Sequence, residues 1–448
     1  MADPRDLKVD IAGAGMGGLT TALALAKKGF KNITVYENAS TLGFVGAGIQ
    51  LAPNMLRILD RLGCYKGTRI EKEATNILAT SIVRGSDNQE LTHVEMPDIE
   101  AKYGYPHMTG HRESLAGGLY EACQKEGAIK FVFGATLQDV QAFGSRPRFT
   151  VAERAGGGKT YEVETDVLIG ADGIKSNVRT AMLRELGIAT DVEDTGQAAY
   201  RIMLTREQCQ PYPELLALLD SNCAMRWIGE KRHIVAYPIA NHNIYNLSTA
   251  QPDSNFAATT NATYTTKGDK GQMLKVYEDF CPLVQTMLNL VPEGEVCEWR
   301  LRSQKPLEQW SHGSACLVGD ACHPTLPHLA QGAALAMEDS AVLAEALALA
   351  PVASDPEGAV ARALRVYELL RKDRATTLVN LAALNGKAMH LGEGSAREER
   401  DRMFAAAREK GNPVPDKWAS PDVQQMIYSH DCMTNAQEKF DELYKGLS

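Results

Sequence analysis

The stretch LKVDIAGAGMGGL, residues 7–19, decides the fold of this chain. Leu7–Ala12 is a short apolar run typical of a buried strand, and glycines follow it at Gly-x-Gly-x-x-Gly spacing. Gly13 permits a tight turn, Gly15 leaves space where a phosphate must approach, and Gly18 allows a helix to pack closely against the strand. The stretch therefore predicts a helix whose free N–H groups face the pyrophosphate of a dinucleotide.

The residues after this turn complete a βαβ unit. A helical apolar face runs from Leu19 to Lys28 and ends at Gly29, and a second strand, Ile33–Tyr36, leads to Glu37. Glu37 lies where a carboxylate accepts the ribose hydroxyls of an adenosine. The alternative is an ordinary charge at a strand end, facing water.

Two further glycine segments lie far along the chain. GADG, residues 170–173, follows the strand-like run Asp166–Ile169, and Gly319-Asp320 follows the run Ala315–Val318. Each pair alone is typical of an ordinary turn. Three such segments, each after a strand, are what a split dinucleotide-binding domain requires, and together they predict an FAD site.

Two more elements fit the same cofactor. Asp320 precedes a helix that begins at Gln331-Gly332-Ala333-Ala334, which predicts a carboxylate on a flavin ribityl hydroxyl and N–H donors near the pyrimidine carbonyl. Arg112 opens another helix, from which it reaches the cofactor phosphates or the ribityl chain. The alternatives are a turn or cap role for Asp320 and a surface charge for Arg112.

The remaining pattern indicates a second sheet and a helical end. Alternating segments rich in β-branched and aromatic residues occupy Ile77–His93 and Gln197–Leu247, and helical runs occupy Ala341–Leu349 and Val360–Leu384. The predicted fold class is therefore α/β, with a discontinuous Rossmann-like FAD-binding domain, an inserted mixed-sheet substrate domain and C-terminal helices. The predicted boundaries are 1–75, 105–180 and 298–375 for the FAD-binding domain, 76–104 and 181–297 for the substrate domain, and 376–448 for the C-terminal helical region.

Composition excludes several classes of protein. The chain has 448 residues with Lys+Arg 47 against Asp+Glu 56, and this net charge of −9 argues against nucleic acid or an anionic membrane surface as the main partner. No apolar run approaches the roughly 20 residues that span a bilayer, so we expect a cytoplasmic protein. The nine cysteines form no Cys-x-x-Cys pair, and we expect reduced thiols and no metal site. The oligomeric state stays open between a monomer and a homodimer.

These motifs together resemble a known family. The set resembles the group A flavoprotein aromatic monooxygenases, which have the fold of p-hydroxybenzoate hydroxylase, and the resemblance spans roughly residues 7 to 375. Two segments are most similar to the salicylate hydroxylase branch, especially its fungal members: Gly46–Ile49 followed by Pro53-Asn54, and Pro327-His328 followed by Gln331-Gly332. The residues that carry the wider resemblance are Gly13 to Gly18, Glu37, Arg112, Asp172-Gly173 with Ser176 and Arg179, and Gly319-Asp320.

The resemblance implies a reaction and a set of cofactor residues. NADH or NADPH docks transiently and reduces FAD, dioxygen adds to the flavin C4a atom, and the resulting hydroperoxide hydroxylates a phenolic or aromatic carboxylic acid, with or without decarboxylation. Asp172-Gly173 and Arg179 are implied to contribute to both nucleotides. The cofactor-binding residues implied are Gly13, Gly15, Met16, Gly18, Glu37, Gly48, Arg112, Asp172, Gly173, Arg179, Gly319, Asp320, Gly332 and Ala333.

His233 and Tyr237 are the candidate catalytic pair. They stand four positions apart in a predicted strand, so period-two alternation places both on one face. Relatives that hydroxylate phenols carry this pair facing the substrate, where the imidazole takes the phenol proton. The alternative is a packed or solvent-facing histidine without a chemical role.

Three further residues complete the predicted substrate site. Pro327 and His328 lie on the loop implied to run along the reactive edge of the flavin, where His328 either contacts substrate or only lines the loop. Arg201 either pairs with a substrate carboxylate or is an ordinary arginine at a strand edge.

Two other functions fit the same motifs. One is a flavin hydroxylase or epoxidase of a larger secondary metabolite, and the other is a redox-sensing protein that holds FAD without turnover. Substrate-stimulated NADH oxidation separates the second from an enzyme.

Overall fold

A computed structural model describes residues 3–43, 47–154, 158–189, 192–254, 265–355, 358–408 and 412–447. Gly46 of the resemblance therefore lies outside the described residues. The strands are β1 (Lys8–Ala12), β2 (Asn32–Glu37), β3 (Gly48–Leu51), β4 (Thr75–Asn76), β5 (Ala79–Arg84), β6 (Glu90–Glu95), β7 (Met108–His111), β8 (Ile129–Phe133), β9 (Ala135–Ala142), β10 (Arg148–Glu153), β11 (Thr160–Glu164), β12 (Val167–Gly170), β13 (Val192–Thr205), β14 (Cys223–Gly229), β15 (Arg232–Ile239), β16 (Ile244–Pro252), β17 (Thr265–Lys267), β18 (Cys297–Gln304), β19 (Ser311–His312) and β20 (Ala315–Leu317).

Helices connect and cover these strands. They are α1 (Met16–Lys27), α2 (Pro53–Arg61), α3 (Arg69–Lys72), α4 (Ile99–Tyr103), α5 (Arg112–Gln124), α6 (Asn177–Glu185), α7 (Arg206–Cys209), α8 (Pro213–Asp220), α9 (Lys270–Val276), α10 (Pro282–Asn289), α11 (Gly332–Leu349), α12 (Ala359–Met389), α13 (Ser395–Ala406), α14 (Pro421–Tyr428) and α15 (Cys432–Gly446). No helix in the described part of the chain has the length and apolarity needed to cross a membrane.

A six-stranded sheet places the three glycine segments side by side. Its order is β19-β20-β12-β1-β2-β8, and every neighbouring pair from β20 to β8 is parallel. Parallel strands end at the same edge of a sheet, so the loops after β1, β12 and β20 must meet there. The register aligns Ala12 with Gly170, and Gly170 with Leu317, which brings segments far apart in sequence to one edge.

An eight-stranded sheet, in the order β17-β18-β13-β16-β15-β14-β5-β6, forms the second layer. One face packs against α8, α9 and α10 in a core that contains Ile234 and Ala236 of β15. The alternate residues of β15, His233 and Tyr237, point to the opposite face, as the period of two predicts. Smaller sheets, β9–β11 and β3-β7-β4, complete the fold.

The observed architecture confirms the predicted α/β class. The predicted boundaries between the domains stay a prediction. The helical run expected to end at Leu384 continues to Met389, and the segment after Gly392 contains α13, α14 and α15. All nine cysteines are free thiols.

Glycine is required where the first turn meets its helix. A Cβ atom at position 18 would lie 1.9 Å from the Gly13 carbonyl oxygen, and one at position 13 would lie 2.5 Å from the Ala171 carbonyl oxygen. Gly13 also has a φ of 99°, which side chains rarely adopt. Both positions therefore hold strand, turn and helix closer together than any other residue allows.

We expect Gly18→Ala to destabilise the protein by about 1–3 kcal/mol, because backbone must move to accommodate the methyl group. The measurement is the free energy of unfolding in denaturant. Gly127→Ala is the matched control, since a Cβ atom there meets nothing within 4 Å. Equal stability of the two variants would contradict this account of the turn.

Candidate active site

Backbone hydrogen bonds lock the three glycine loops to one another. The Gly13 amide donates to the Tyr36 carbonyl over 2.8 Å, the Ala171 amide to the Ala12 carbonyl over 2.8 Å, and the Val318 amide to the Gly170 carbonyl over 2.9 Å. The loops therefore form one wall of a cavity of about 420 Å³ that extends to the eight-stranded sheet.

Two helix N-termini open into this cavity without a side-chain cap. The cap of α1 is Gly15 and that of α11 is Gln331, and neither supplies a side-chain acceptor to the first free N–H groups. A Cβ atom at Gly15 would meet nothing within 4 Å, so the space in front of α1 is open. Free donors at the positive end of a helix bind phosphate or a polarised carbonyl.

Arg112 and Asp320 face the same space with opposite charge. The Arg112 guanidinium has no hydrogen-bond or ion-pair partner among the described residues; its burial lowers its pKa, which Asp320 partly offsets. The Asp320 side chain is exposed to the cavity, which lies within the protein. Burial raises the pKa of this carboxyl, although the nearby His323, Arg112 and Arg179 act to lower it. Both groups are available to a polar ligand that has phosphates and hydroxyls, such as FAD.

A buried ion network supports the loop after β20. The Asp339 carboxylate of α11 accepts a hydrogen bond from the Gly319 amide over 3.1 Å, lies 2.5 Å from His323 Nε2, and accepts from Arg371 Nε over 2.9 Å. Glu338 pairs with Arg371 over 2.8 Å. Burial alone would lower the pKa of His323, but the Asp339 carboxylate outweighs it, so the net pKa is raised and the cationic form of this imidazole is favoured.

The second wall of the cavity is a face of the eight-stranded sheet. His233, Val235 and Tyr237 project from β15, and Arg201 projects from β13. The Arg201 guanidinium stacks over the Trp299 ring at 5.2 Å, and its buried Nε has no hydrogen-bond partner. Burial and Arg112 lower the pKa of Arg201. The Arg201 guanidinium therefore has no carboxylate partner among the described residues, and it is available to a ligand in the cavity.

The guanidinium of Arg226, in contrast, already has a carboxylate partner within the protein. Arg226 of β14 is buried and pairs with the fully buried Asp416 over 2.7 Å, while its guanidinium stacks over the Trp418 ring at 4.7 Å. Trp418 donates to Gln50, a further residue of the cavity wall, over 2.6 Å. The C-terminal segment therefore closes this end of the cavity.

Three imidazoles meet where β15, the loop after β20 and α12 come together. His233 Nδ1 lies 2.7 Å from His390 Nε2, and the His328 ring lies 5.2 Å from that of His233. Burial lowers all three pKa values, to about 3 for His328, to about 4 for His390, and well below the usual value for His233. All three rings are neutral at physiological pH.

Most of the residues predicted from sequence reach the cavity, and five do not. Glu37 accepts hydrogen bonds from the Ala14 and Ala39 amides, both over 2.8 Å, and so ties β2 to the glycine turn. The residues that line the cavity are Gly15, Met16, Gly48, Arg112, Gly173, Arg201, His233, Tyr237, Gly319, Asp320, Pro327, His328, Gly332 and Ala333. Those outside its lining are Gly13, Gly18, Glu37, Asp172 and Arg179.

Asp172 and Arg179 instead bond to backbone, Asp172 within the second loop and Arg179 from the second loop to the third. Asp172 accepts from the Asn177 amide over 2.8 Å at the start of α6. Arg179 is buried and donates to the carbonyls of Ala321, over 3.0 Å, and Ile174. This placement favours a role in holding the Asp320 loop, and a direct contact of Arg179 with a nicotinamide nucleotide stays a prediction.

Sequence reasoning missed the residues that long-range contacts bring to the site, above all Arg226, Asn246, Asn385 and His390. The Asn246 side chain accepts a hydrogen bond from the Gly48 amide over 2.7 Å, and no local sequence pattern predicts this contact. The glycine at position 386, inside a helix, was an available signal. A Cβ atom there would lie 2.4 Å from the His328 ring, so this glycine makes room for His328.

Comparison with known proteins agrees with this geometry. A profile of the family described as FAD binding domain matches residues 6–382. The FAD-dependent monooxygenase OpS4 of Beauveria bassiana is 30% identical over 96% of this chain and 96% of that protein. The 3-hydroxybenzoate 6-hydroxylase of Polaromonas naphthalenivorans is 30% identical over 90% of this chain and 92% of that enzyme. A solved salicylate hydroxylase substrate complex has a TM-score of 0.75 at 21% identity over 98% of both chains, which shows a shared fold.

We expect the His323–Asp339 pair to make stability depend on pH. Because the folded pKa of His323 is raised, its contribution is fully present below the unfolded value of about 6.5 and is lost as pH rises through the folded value. The stability difference between wild type and His323→Gln should therefore shrink from pH 6 towards pH 9. Thermal unfolding across this range measures it, with His312→Gln as control. A difference that does not shrink as pH rises would show that the folded pKa of His323 is not raised.

Proposed function

The chain belongs to the family of FAD-dependent monooxygenases that carry this FAD-binding domain, and on that premise we propose that it hydroxylates the ring of a phenolic aromatic acid. NAD(P)H is the proposed reductant and dioxygen the oxidant. The observation that carries the proposal is a single cavity that joins the loops of a dinucleotide site to a sheet face bearing Arg201, His233 and Tyr237.

FAD, when bound, supplies the reduction of dioxygen and the transfer of one oxygen atom to the substrate. We assign its pyrophosphate to the free N–H groups of α1 and to Arg112, and its ribityl hydroxyls to Asp320. The N–H groups of Gly332 and Ala333 are assigned to the pyrimidine carbonyl, where donors stabilise negative charge. These residues fit the cofactor, because each presents an uncapped backbone donor or a charged side chain to the same cavity.

Arg201 favours a substrate with a carboxylate. Its Nε is buried and unpartnered, and the other cations of the cavity are otherwise engaged, Arg226 by Asp416 and Arg112 by the proposed cofactor. Leaving a buried donor unpaired costs about 1–3 kcal/mol, which a bound carboxylate would offset. Arg201 and Val235 lie in one cross-strand row of the sheet, because both pair with Ser248 of β16. An aromatic acid whose carboxylate binds Arg201 would therefore place its ring along Val235, between His233 and Tyr237.

His233 is the proposed acceptor of the phenol proton. A phenolate ring is richer in electrons than the phenol and reacts more readily with an electrophilic oxygen. His233 is buried in the cavity wall, its Nδ1 is engaged by His390, and the remaining Nε2 is left for a ligand. Where the attacked carbon bears the carboxylate, hydroxylation would release carbon dioxide. Product analysis distinguishes this outcome from simple hydroxylation.

We expect the purified protein to be yellow, to release FAD on denaturation, and to consume NADH or NADPH faster when a substrate acid is added. The panel is 2-, 3- and 4-hydroxybenzoate with benzoate as the control that lacks a phenol. Oxygen uptake and hydroxylated product are measured together. A colourless protein that binds no FAD would refute the assignment of the cofactor site.

Two other outcomes would redirect the proposal. Stimulation only by larger phenols without a carboxylate would favour a hydroxylase of a larger metabolite. Bound FAD with no stimulation by any phenol would favour a redox-sensing protein.

Arg201→Gln should raise the KM for the preferred phenolic acid by about 10- to 100-fold, since a charge-assisted contact contributes roughly 1.5–3 kcal/mol. The KM for phenol itself, which has no carboxylate, should change little. Arg148→Gln, an exposed position on β10, serves as control. An equal rise of KM for both ligands would show that Arg201 shapes the cavity without recognising the carboxylate.

A further inference from the structure

Arg226 stands on the same sheet face as Arg201, at the opposite end of one cross-strand row. The row that joins Arg201 to Val235 continues to β14, because Val235 pairs with Arg226. All three side chains line the cavity. We propose that Arg226 is a specificity-determining residue, which donates a hydrogen bond to a neutral oxygen acceptor on the substrate, para to the carboxylate that Arg201 binds. The substrate class is then a phenolic aromatic acid with an acyl, ester or amide group in the para position. This inference rests on the proposed function and deepens it.

The length of this row sets the length of the ligand. The strands β16 and β15 separate Arg201 on β13 from Arg226 on β14, and the three strand spacings add to about 14 Å. Side chains stand roughly perpendicular to a sheet, so the two guanidinium groups face the cavity at a similar separation. A hydrogen bond of about 2.8 Å at each end leaves roughly 8 Å between two ligand oxygens. A benzene ring that carries an oxygen-bearing carbon at each of two para positions has this length.

The Arg226 side chain has one donor that the protein leaves unused. Its Nη1 donates to Asp416 over 2.7 Å, and its guanidinium stacks over the Trp418 ring. Its Nε is buried and has no hydrogen-bond partner among the described residues. Because an unpartnered buried donor is unfavourable, a ligand oxygen at this nitrogen would stabilise the complex.

The C-terminal segment holds this arginine in one orientation. Besides the bond from Arg226, Asp416 Oδ1 accepts a hydrogen bond from Asn385 Nδ2 over 3.0 Å and another from the Trp418 amide over 3.1 Å. The carboxylate is thereby tied both to α12 and to its own segment. A donor that is already ordered loses little freedom when a ligand binds, so it discriminates well between ligands with and without an acceptor.

The charge at this end of the row favours a neutral acceptor over an anion. Asp416 is fully buried, and its Oδ2 has no hydrogen-bond partner among the described residues. Its negative charge balances that of Arg226 and would repel a second carboxylate. Burial is the main cause that lowers the pKa of the neighbouring His328 to about 3, so this imidazole adds no positive charge. The anionic end of the substrate therefore belongs at Arg201.

The alternative is that Arg226 only anchors the C-terminal segment, and Arg232 of β15 provides the matched comparison. Arg232 also pairs with a carboxylate, that of Asp279 over 2.5 Å, and stacks over an aromatic ring, that of Phe280. Its Nε is likewise buried without a partner among the described residues, but Arg232 is not part of the cavity lining. Arg232→Lys therefore reports the effect of losing an arginine that has similar contacts outside the cavity.

The test measures binding without turnover. Calorimetry on FAD-loaded protein, without NAD(P)H, gives the Kd of 2- and 3-hydroxybenzoate and of their 4-acetyl, 4-isopropyl and 4-trifluoromethyl derivatives. The isopropyl group has the shape of the acetyl group without its oxygen, and the trifluoromethyl group withdraws electrons as the acetyl group does. In the series that binds, we expect the acetyl derivative to bind about 10-fold or more tightly than the other two, because it gains a hydrogen bond from a charged donor. Equal binding of the three derivatives would overturn the inference.

Arg226→Lys keeps the ion pair with Asp416 and removes the Nε donor. We expect this variant to lose the preference for acetyl over isopropyl, and Arg232→Lys to retain it. A preference that survives in Arg226→Lys would assign the contact to another residue and overturn the inference. The comparison of derivatives on the wild type needs no variant, so it decides the question even if Arg226→Lys fails to fold.

Asp416→Asn tests the charge at this end of the row. The amide has nearly the shape of the carboxylate, and it leaves the Arg226 cation without a counter-charge. The wild type should bind 2-hydroxyterephthalate, which carries a carboxylate in place of the acetyl group, more weakly than the 4-acetyl derivative. The ratio of the two Kd values should shift by about 10-fold or more towards the terephthalate in the variant. A wild type that prefers the second carboxylate, or a variant in which the ratio does not shift, would overturn the neutral acceptor site.

The same measurements separate this inference from the proposed function. If no hydroxybenzoate, substituted or unsubstituted, binds or is hydroxylated, the proposed function fails and the inference fails with it. If 2- or 3-hydroxybenzoate is hydroxylated but the acetyl derivative binds no more tightly than the isopropyl derivative, only the inference is overturned.

Discussion

The site depends on the interactions of one buried group, the Asp339 carboxylate. It is fully buried on α11 and is shared between the Gly319 amide, the His323 ring and Arg371 of α12. A buried charge is costly unless every lone pair is matched, and removal of one partner leaves an uncompensated ion. The network therefore holds the loop after β20, the start of α11 and the middle of α12 in one arrangement. Asp320 and the uncapped N-terminus of α11 owe their positions to it.

The eight-stranded sheet contributes the other half of the site through its two unlike faces. The apolar residues of β15 pack against helices on one face of the sheet. The alternate residues, His233, Val235 and Tyr237, face the cavity on the other. The long helix α12 connects the halves, since Arg371 reaches the ion network, Gly386 leaves room for His328, and the cap residue bonds to His233. One rigid helix thereby couples the geometry of the proposed cofactor loops to that of the substrate wall.

Local patterns predicted a large part of this arrangement. Glycine spacing after apolar runs located the loops of the dinucleotide site, because only glycine permits their turns and close contacts, and strand alternation placed His233 and Tyr237 on one face. The end of α12 was predicted five residues too early, at Leu384 instead of Met389. Asn385 and Gly386 lower helix propensity, but their contacts with the loop that bears His328 outweigh that preference.

The sequence alone determined the fold class, the FAD loops and the strand that carries the candidate base, because these depend on short-range periodicity and on residues with special backbone freedom. Only the tertiary structure decided which charged side chains have hydrogen-bond or ion-pair partners within the protein. Glu37, Asp172 and Arg179 bond to backbone outside the cavity lining, Arg226 is neutralised by a carboxylate from the C-terminal segment, and Arg201 keeps an unpaired donor. Partnership between residues far apart in the chain depends on packing and burial, which no local pattern encodes.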